Sequence, residues 1–334
     1  MTHTELEVTG PLSRPGSVRA LILVGMVAVS FAAILIRTAD APALALAFWR
    51  SIGGALALAP FAIRSSLRPD VRQRRRMIAS GGFLAVHFAL FIGAFSYTSV
   101  ASAVVFATTA PLFVGLVSWL VLHRPPSRRT WVGIAVAVAG AGVVAAADSG
   151  SGASGSNPLL GDAMALLSAV AVSGYLILGQ RVREDVPVTT YGTWVYGSAA
   201  VVLGLAAVVS GTPLVGFDGV TWLAILGLVV GPQLLGHTIF NHILGVVPAT
   251  TVAVVVLSEP VGAGLLAFVL LGEVPPALLA VGGPLILTGV FLASTGTRRL
   301  SASGPISASG PTRRARGGTP PTGGPGAAPP ARRG

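Results

Sequence analysis

Two charged residues lie inside stretches of sequence that are otherwise almost entirely apolar. Arg50 falls in the run Ala41–Ile63, and Glu259 falls in the run Thr251–Leu271. A charged side chain near the centre of a lipid bilayer costs at least about 3 kcal/mol, so it normally faces a partner or a water-filled cavity. A guanidinium binds carboxylates through charge-assisted hydrogen bonds, and a carboxylate can take up a proton. The pair indicates either an anion-binding cavity with Glu259 as a proton-coupling candidate, or a static ion pair.

A polar stripe marks a third apolar stretch. Gln233, His237 and Asn241 are spaced four residues apart, which places them on one face of an α-helix. Lipid cannot satisfy such groups, so the stripe is expected to face protein or water. Histidine side chains ordinarily titrate near neutral pH, so His237 is the second proton-coupling candidate. The alternative is that these side chains only form hydrogen bonds between helices, worth about 0.6 kcal/mol each.

Further candidates lie on other apolar stretches. His87 is followed at helical spacing by Phe91 and Phe95, so the three rings share one helix face. Thr109 precedes the Ala110-Pro111 pair, and a proline cannot donate to the carbonyl four residues before it. Packing is the alternative role for each of these side chains. The residues expected to contact a bound solute are Arg50, His87, Thr109, Tyr175, Gln233, His237 and Asn241. Phe91, Phe95, Phe106 and Tyr175 are candidates for an aromatic wall.

The composition predicts an all-α integral membrane protein. The chain has 334 residues, of which 53% are hydrophobic and 10% charged, and its mean hydropathy is +0.80. A soluble domain carries roughly 25% charged residues, and about 20 apolar residues suffice for a helix to cross a bilayer. The predicted spans are Leu21–Ile36, Ala41–Ile63, Ile78–Tyr97, Ala101–Leu122, Trp131–Ala147, Leu159–Leu178, Thr189–Val209, Gly219–Leu244, Thr251–Leu271 and Ala277–Ala293.

The arginines predict the orientation of these ten transmembrane helices. With both termini in the cytoplasm, every arginine except Arg37 and Arg50 falls in a segment assigned to the inside. Cytoplasmic loops are enriched in basic residues, so ten spans fit the charge distribution. We therefore expect a multi-pass protein of the plasma or inner membrane with cytoplasmic N- and C-termini.

The two halves of the chain resemble each other, with matched residues 149 positions apart. Pro111 matches Pro260, and Gly133 matches Gly282. Two similar five-span units must insert with opposite orientation, and inverted repeats of this kind are typical of transporters that bind a solute near the midplane. The predicted parts are a cytoplasmic tail at 1–18, a first repeat at 19–147, a flexible linker at 148–158, a second repeat at 159–295 and a disordered cytoplasmic tail at 296–334, rich in Arg, Pro and Gly.

Several segments resemble the EamA-like family of the drug/metabolite transporter superfamily. The resemblance is carried, in order, by AFWR at 47–50, AVHFALFIGAFSYT at 85–98, TTAP at 108–111, Gly236-His237 with Asn241, and SEP at 258–260. It implies ten helices in two inverted repeats, a central cavity, and movement of small metabolites, often outward. The second repeat ends in Gly272-Glu273, as is common in the family, whereas the first repeat has His123-Arg124 instead.

The predicted function is that of a secondary transporter, not an enzyme. We expect it to move a small metabolite, such as an amino acid or related carboxylate, across the plasma membrane by alternating access, as an exporter. The alternatives are efflux of cationic drugs, a lipid flippase, or a membrane-embedded lipid-modifying enzyme. Neither a Walker-type phosphate loop nor an HExxH or GxSxG motif occurs, and there is no cysteine.

The expected partners follow from the same features. They are a small-molecule substrate, the lipid bilayer and, as a hypothesis, coupled protons; no nucleic acid, cofactor or metal is expected. The glycines of spans five and ten predict close helix packing within the bundle, with a homodimer seam as the alternative.

Overall fold

The computed structural model describes residues 15–98, 100–149, 156–271 and 278–295. In these residues the chain is helical and contains no strand. The helices are α1 Pro15–Thr38, α2 Ala43–Arg64, α3 Val71–Ala94, α4 Val100–Ala107, α5 Ala110–Leu120, α6 Arg128–Ser149, α7 Pro158–Arg183, α8 Val188–Val209, α9 Gly219–Leu228, a π-helical segment Val229–His237, α10 Thr238–Ile243, α11 Ala249–Val256, α12 Glu259–Leu271 and α13 Leu279–Thr295.

The length and apolar composition of these helices suit a bilayer. Within the described residues, six helical stretches of 22 to 26 residues are long and apolar enough to cross a membrane. They lie in the first three and the sixth to eighth predicted spans, and shorter apolar helices lie in predicted spans four, nine and ten. Predicted span five falls within α6. By length and composition, the described helices suit a protein that crosses a membrane several times.

Predicted spans four and nine each contain a break. α4 ends at Ala107 and α5 begins at Ala110; α11 ends at Val256 and α12 begins at Glu259. At each break a hydroxyl donates to the carbonyl three residues earlier: Thr109 Oγ1 to Phe106 O at 2.6 Å, and Ser258 Oγ to Val255 O at 2.7 Å. Pro111 and Pro260 cannot donate a backbone hydrogen bond, so neither helix continues through its break.

Predicted span eight is not a uniform α-helix. Its middle, Val229–His237, has π-helical hydrogen bonding and contains Pro232. A π-helix closes its hydrogen bonds over five residues instead of four, so side chains four positions apart are no longer aligned. Such segments are frequent at functional sites.

The helices of the two halves follow the same order. α1, α2 and α3 precede the broken pair α4 and α5, and α6 follows; α7, α8 and the α9-to-α10 stretch precede the broken pair α11 and α12, and α13 follows. The contacts correspond as well, since α1 packs against α12 and α7 against α5. α2 packs against α8, and α6 packs against α13.

α6 and α13 approach each other through small residues. A Cβ atom added to Gly289 would lie 2.5 Å from the backbone of Gly133 and Ala137, and one added to Gly140 would lie 2.8 Å from the backbone of Gly282. These glycines therefore allow backbone contact between two helices of the same chain, and their small faces are covered inside the bundle.

Polar residues fix several helix starts outside the membrane-spanning segments. Asp70 and Gln73 form a reciprocal capping box at the start of α3. Asp218 accepts a hydrogen bond from the backbone of Thr221 at 2.8 Å and caps α9. Hydrogen bonding from Thr221 lowers the pKa of the Asp218 carboxyl.

Some sequence predictions fall beyond the described part of the chain. Most of the N-terminal tail, the core of the Gly/Ser linker, Gly272-Glu273 and the C-terminal tail lie outside it.

Candidate functional site

A cavity lies among helices from both halves of the chain. α1 to α5 contribute to its wall from the first half, and α7, the π-helical segment, α10, α11 and α12 contribute from the second. Its polar lining is formed by Arg50, His87, Thr108, Tyr175, His237 and Glu259. The remaining wall is apolar, so the few polar groups determine what the cavity can bind.

Arg50 is the largest fully buried charged side chain of the described residues, with 2% of its surface exposed. Its Nε donates to Oε1 of Gln233 at 3.0 Å, and its guanidinium carbon lies 3.9 Å from the centroid of the Phe88 ring. Its Nη2 is buried and has no hydrogen-bond partner in the described residues. One edge of the guanidinium is therefore anchored, while the donor on Nη2 is left unsatisfied by the described residues.

Glu259 brings the opposite charge into the same cavity. It is the first residue of α12, immediately after the break in span nine, and its side chain is half-buried. Within the described residues no ion pair closer than 4.0 Å joins it to Arg50. A guanidinium and a carboxylate that line one cavity without direct pairing can each meet an opposite charge on a solute.

Two histidines and several aromatic rings form another part of the wall. The His87 ring stacks on Phe91 with centroids 5.7 Å apart, and its Nδ1 lies 3.1 Å from the carbonyl oxygen of Ser168. The His237 ring meets Phe88 edge-on at 5.2 Å and lies 6.2 Å from Tyr175. The rings give the cavity apolar surfaces, while the imidazole nitrogens add groups that can donate or accept hydrogen bonds.

A hydrogen-bond network supports the cavity from behind. The Tyr175 hydroxyl donates to Oδ1 of Asn241 at 2.5 Å, and Nδ2 of Asn241 donates to the Tyr196 hydroxyl at 3.0 Å. The Tyr196 hydroxyl in turn lies 3.1 Å from Oγ1 of Thr238. The network connects α7, α8 and α10, so it fixes the position of Tyr175 relative to two other helices of the second half.

The comparisons with known proteins cover most of the chain. The sequence profile of the EamA-like transporter family matches residues 16–146 and matches again at residues 159–295. The chain belongs to the EamA-like transporter family. Family membership identifies it as a membrane transporter rather than an enzyme.

Individual relatives agree with this assignment. A protein of Archaeoglobus fulgidus named "Uncharacterized transporter" is 24% identical over 274 residues, covering 82% of this chain and 95% of the relative. A second protein of the same name and organism is 24% identical over 200 residues, covering 60% of this chain and 68% of the relative. A solved crystal structure with 22% identity has a TM-score of 0.69 and matches 86% of this chain and all of its own, which shows a shared fold.

In this EamA-like chain, the residues expected to contact a solute divide into two groups. Arg50, His87, Tyr175 and His237 line the cavity, as does Glu259. Gln233 and Asn241 are fully buried and lie behind the wall, in contact with lining residues. Thr109 also lies outside the lining, whereas its neighbour Thr108 lines the cavity. The break between α4 and α5 turns Thr109 back toward its own helix, where it bonds to Phe106.

Only some of the residues predicted to form an aromatic wall line the cavity. Phe91 and Tyr175 line the cavity, and Phe95 packs edge-on against Phe91 with centroids 5.0 Å apart. Phe106 instead packs against a small buried cluster that includes Ala103.

Two functional neighbours were absent from the sequence predictions. Phe88 lies beneath the Arg50 guanidinium, and Tyr196 joins the network behind the cavity. Tyr196 had a detectable signal, because a hydroxyl in the middle of an apolar span needs a hydrogen-bond partner. Phe88 had none, since a phenylalanine in such a span is ordinary. In the residues that the structure describes, no group of three potential ligands is arranged to hold a metal ion.

Proposed function

We propose that this EamA-like protein is a secondary transporter that exports a small metabolite with an anionic group, such as an amino acid or related carboxylate. The single observation that carries the proposal is that Arg50, a residue of the cavity lining, has a buried Nη2 without a hydrogen-bond partner among the described residues. A buried donor on a charged group is costly to leave unpaired, so a carboxylate in the cavity gains a charge-assisted hydrogen bond there.

Alternating access between two inverted repeats is the proposed mode of transport. Support comes from the repeated helix order and from the equivalent packing of α1 with α12 and of α7 with α5. Both halves line the cavity, as expected for a solute site between rocking repeats. The proposed setting is the plasma membrane, with both termini in the cytoplasm as the arginine distribution favours.

Proton coupling is proposed to act through Glu259 or His237. Each lines the cavity that contains Arg50. A carboxylate that becomes protonated no longer attracts the guanidinium, which leaves Arg50 free for the anionic group of a solute. A proton gradient can then alter solute affinity at Arg50 without direct contact between the proton and the solute.

Efflux of cationic amphipathic compounds is the second candidate function. The observation that favours it is the half-buried Glu259 carboxylate in a cavity with the aromatic rings of Phe88 and Phe91. Organic cations are attracted both by carboxylates and by aromatic faces. In this alternative Glu259 anchors the solute and Arg50 acts as its counter-charge when the cavity is empty.

Thermal stabilisation of the purified protein separates these candidates. The wild type is to be screened against amino acids, organic acids, nucleosides, cationic drugs and lipids, since a ligand that prefers the folded state raises the melting temperature. We expect a carboxylate to stabilise the wild type and to lose this effect in Arg50→Gln, with Arg129→Gln as the control for loss of an exposed arginine.

The outcome of the screen decides the solute class. Stabilisation by carboxylates that survives in Arg50→Gln contradicts the proposed role of Arg50. Stabilisation only by cationic drugs, abolished in Glu259→Gln, favours the second candidate. A carboxylate that passes the screen is then loaded into liposomes, where a transporter returns it chemically unchanged.

A further inference from the structure

A second depression, here called the arginine cleft, opens at the end of the bundle where α5 and α7 terminate. Its charged and amide-bearing lining consists of Arg124, Gln180, Arg181 and Glu184, and its hydroxyl-bearing residues are Ser118, Ser127, Thr130 and Thr250. In the topology proposed above, this end of the bundle faces the cytoplasm.

The cleft lies in line with the central cavity along three shared helices. On α7, Leu176 lines the cavity and the next residue, Ile177, lines the cleft. On α11, Ala253 lines the cavity and Ala249, one helical turn away, lines the cleft. A turn of helix spans about 5.4 Å, so only a thin layer of packed side chains separates the two spaces.

α5 and α7 are held together at the level of the cavity. The Ser173 hydroxyl of α7 donates to the carbonyl oxygen of Ala110 on α5 at 3.1 Å, and Val114 of α5 is fully buried. Separation of α5 from α7 would therefore join the cleft and the cavity into one passage.

The charges of the two arginines of the cleft are not neutralised by an ion pair with a described residue. Arg124 and Arg181 are both exposed, and neither forms a side-chain hydrogen bond or ion pair with the described residues. Glu184 is the acidic side chain of the cleft lining, so the cleft carries a net positive charge.

The backbone before Arg124 has a special conformation. His123 has φ 54°, in the left-handed region that normally favours glycine. The turn is closed by a hydrogen bond from the backbone N–H of Arg124 to the carbonyl oxygen of Ser118 at 2.8 Å. The second half of the chain has Gly272-Glu273 at the matching positions. The first half thus keeps a turn that suits glycine, yet places an arginine where the other half has a glutamate.

We propose that the arginine cleft is a binding site for the carboxylate of the exported solute, through which the solute passes before it reaches Arg50. This inference rests on the proposed function for the direction of passage and for the identity of the solute. Arg124 and Arg181 attract and hold the anionic group, and Glu184 suits an ammonium on the same molecule. The cleft therefore selects for anions and zwitterions ahead of the central cavity.

The absence of cysteine allows a direct test. Ser118→Cys introduces a single thiol into the cleft, which is then modified by anionic 2-sulfonatoethyl or cationic 2-(trimethylammonium)ethyl methanethiosulfonate. A unit charge about 7 Å away in water changes the local concentration of each reagent about 2.7-fold, and the ratio of the two rates about sevenfold. We expect Arg124→Gln and Arg181→Gln each to lower the anionic-to-cationic ratio by about this factor. Arg129→Gln, an exposed arginine outside the cleft, serves as the matched control.

The rate ratio reports only the electrostatic potential at the thiol. Binding of an anion to the cleft is measured by whether succinate, but not its uncharged counterpart succinamide, protects the thiol from modification. We expect succinate to slow the anionic reagent at Ser118→Cys and to lose this effect in the double arginine variant, while succinamide has no effect. An unchanged rate ratio in the arginine variants overturns the proposal, and so does a changed ratio without protection by succinate.

Two further comparisons separate the alternatives. If slow modification requires nanodiscs that contain phosphatidylglycerol, a lipid headgroup occupies the cleft and the proposal is wrong. Arg50→Gln is expected to leave the reaction at Ser118→Cys unchanged while it removes the thermal response to carboxylates. The proposal for the cleft and the proposal for Arg50 can therefore be contradicted independently of each other.

Discussion

The Nε atom of Arg50 donates a hydrogen bond to Oε1 of Gln233 across 3.0 Å, although 183 residues separate the two in the chain. The bond connects α2 of the first half with the π-helical segment of the second. It fixes the orientation of the Gln233 amide, because a guanidinium can only donate. Gln233 of the second half thus positions Arg50 of the first half, and both halves line the cavity.

Replacement of Gln233 by methionine is expected to weaken anion binding. The change keeps a side chain of similar length but removes the acceptor of the Arg50 Nε–H, and a hydrogen bond to a charged group contributes about 1.5–3 kcal/mol. We expect a lower melting temperature and affinity for a carboxylate reduced about tenfold or more, as measured by ligand-dependent thermal shifts. Gln73→Met at the start of α3 is the control, since it removes a glutamine far from Arg50. Equal affinities in the two variants would contradict the positioning role of Gln233.

Asn241→Leu is expected to destabilise the protein through Tyr175. The change leaves the buried Tyr175 hydroxyl without its acceptor, at a cost of about 1–3 kcal/mol. Adding Tyr175→Phe removes the unpaired hydroxyl, so the double variant should regain roughly 1 kcal/mol in thermal or denaturant unfolding. If Tyr175→Phe instead lowers the stability of Asn241→Leu further, the two side chains are not coupled as the network implies.

Gly289→Ala is expected to disrupt the contact between α6 and α13. The new Cβ would meet backbone atoms of Gly133 and Ala137 at 2.5 Å, and backbone cannot move aside as a flexible side chain can. Overpacking of this kind costs about 1–3 kcal/mol. Gly142→Ala on α6 is the control, because nothing lies within 4 Å of the added Cβ, and alanine favours a helix by up to about 1 kcal/mol. Opposite shifts in melting temperature are expected; a tolerated Gly289→Ala would argue against close packing there.

Pro111→Ala is expected to slow transport without loss of stability. The alanine supplies the missing N–H, so α4 and α5 can join into one helix and straighten the break beside Thr108. We expect a rate about tenfold lower in liposomes, which corresponds to a barrier about 1.4 kcal/mol higher. Pro60→Ala is the control, since this proline lies exposed inside α2 and away from the cavity. Similar rates in the two variants would mean that the break has no role in transport.

The sequence contained enough information to predict the helices and part of the cavity. Charges inside apolar runs identified Arg50 and Glu259, because lipid penalises a charge regardless of the details of folding. Both residues line the cavity. Membrane helices are predictable for the same reason, since a bilayer requires long apolar segments with satisfied backbones.

The finer geometry depended on contacts between distant residues. Gln233, His237 and Asn241 share a face only if the helix is a regular α-helix, and the π-helical segment changes that register. The stripe is consequently divided, with His237 at the cavity and its two neighbours behind the wall. Likewise the proline pattern indicated bends at Pro111 and Pro260, while the full breaks also involve hydroxyls that bond back to their own helices.

The contact between α6 and α13 has a mechanical consequence. Among the described residues, neither helix lines the central cavity. The two helices come from different halves, and their glycines leave no room for a Cβ between the backbones. Two helices packed this closely are not expected to separate when a small solute binds elsewhere, but they can rotate about their contact. In the alternating access proposed above, the glycine contact would serve as the pivot between the two halves, and the helices around the solute would move relative to each other.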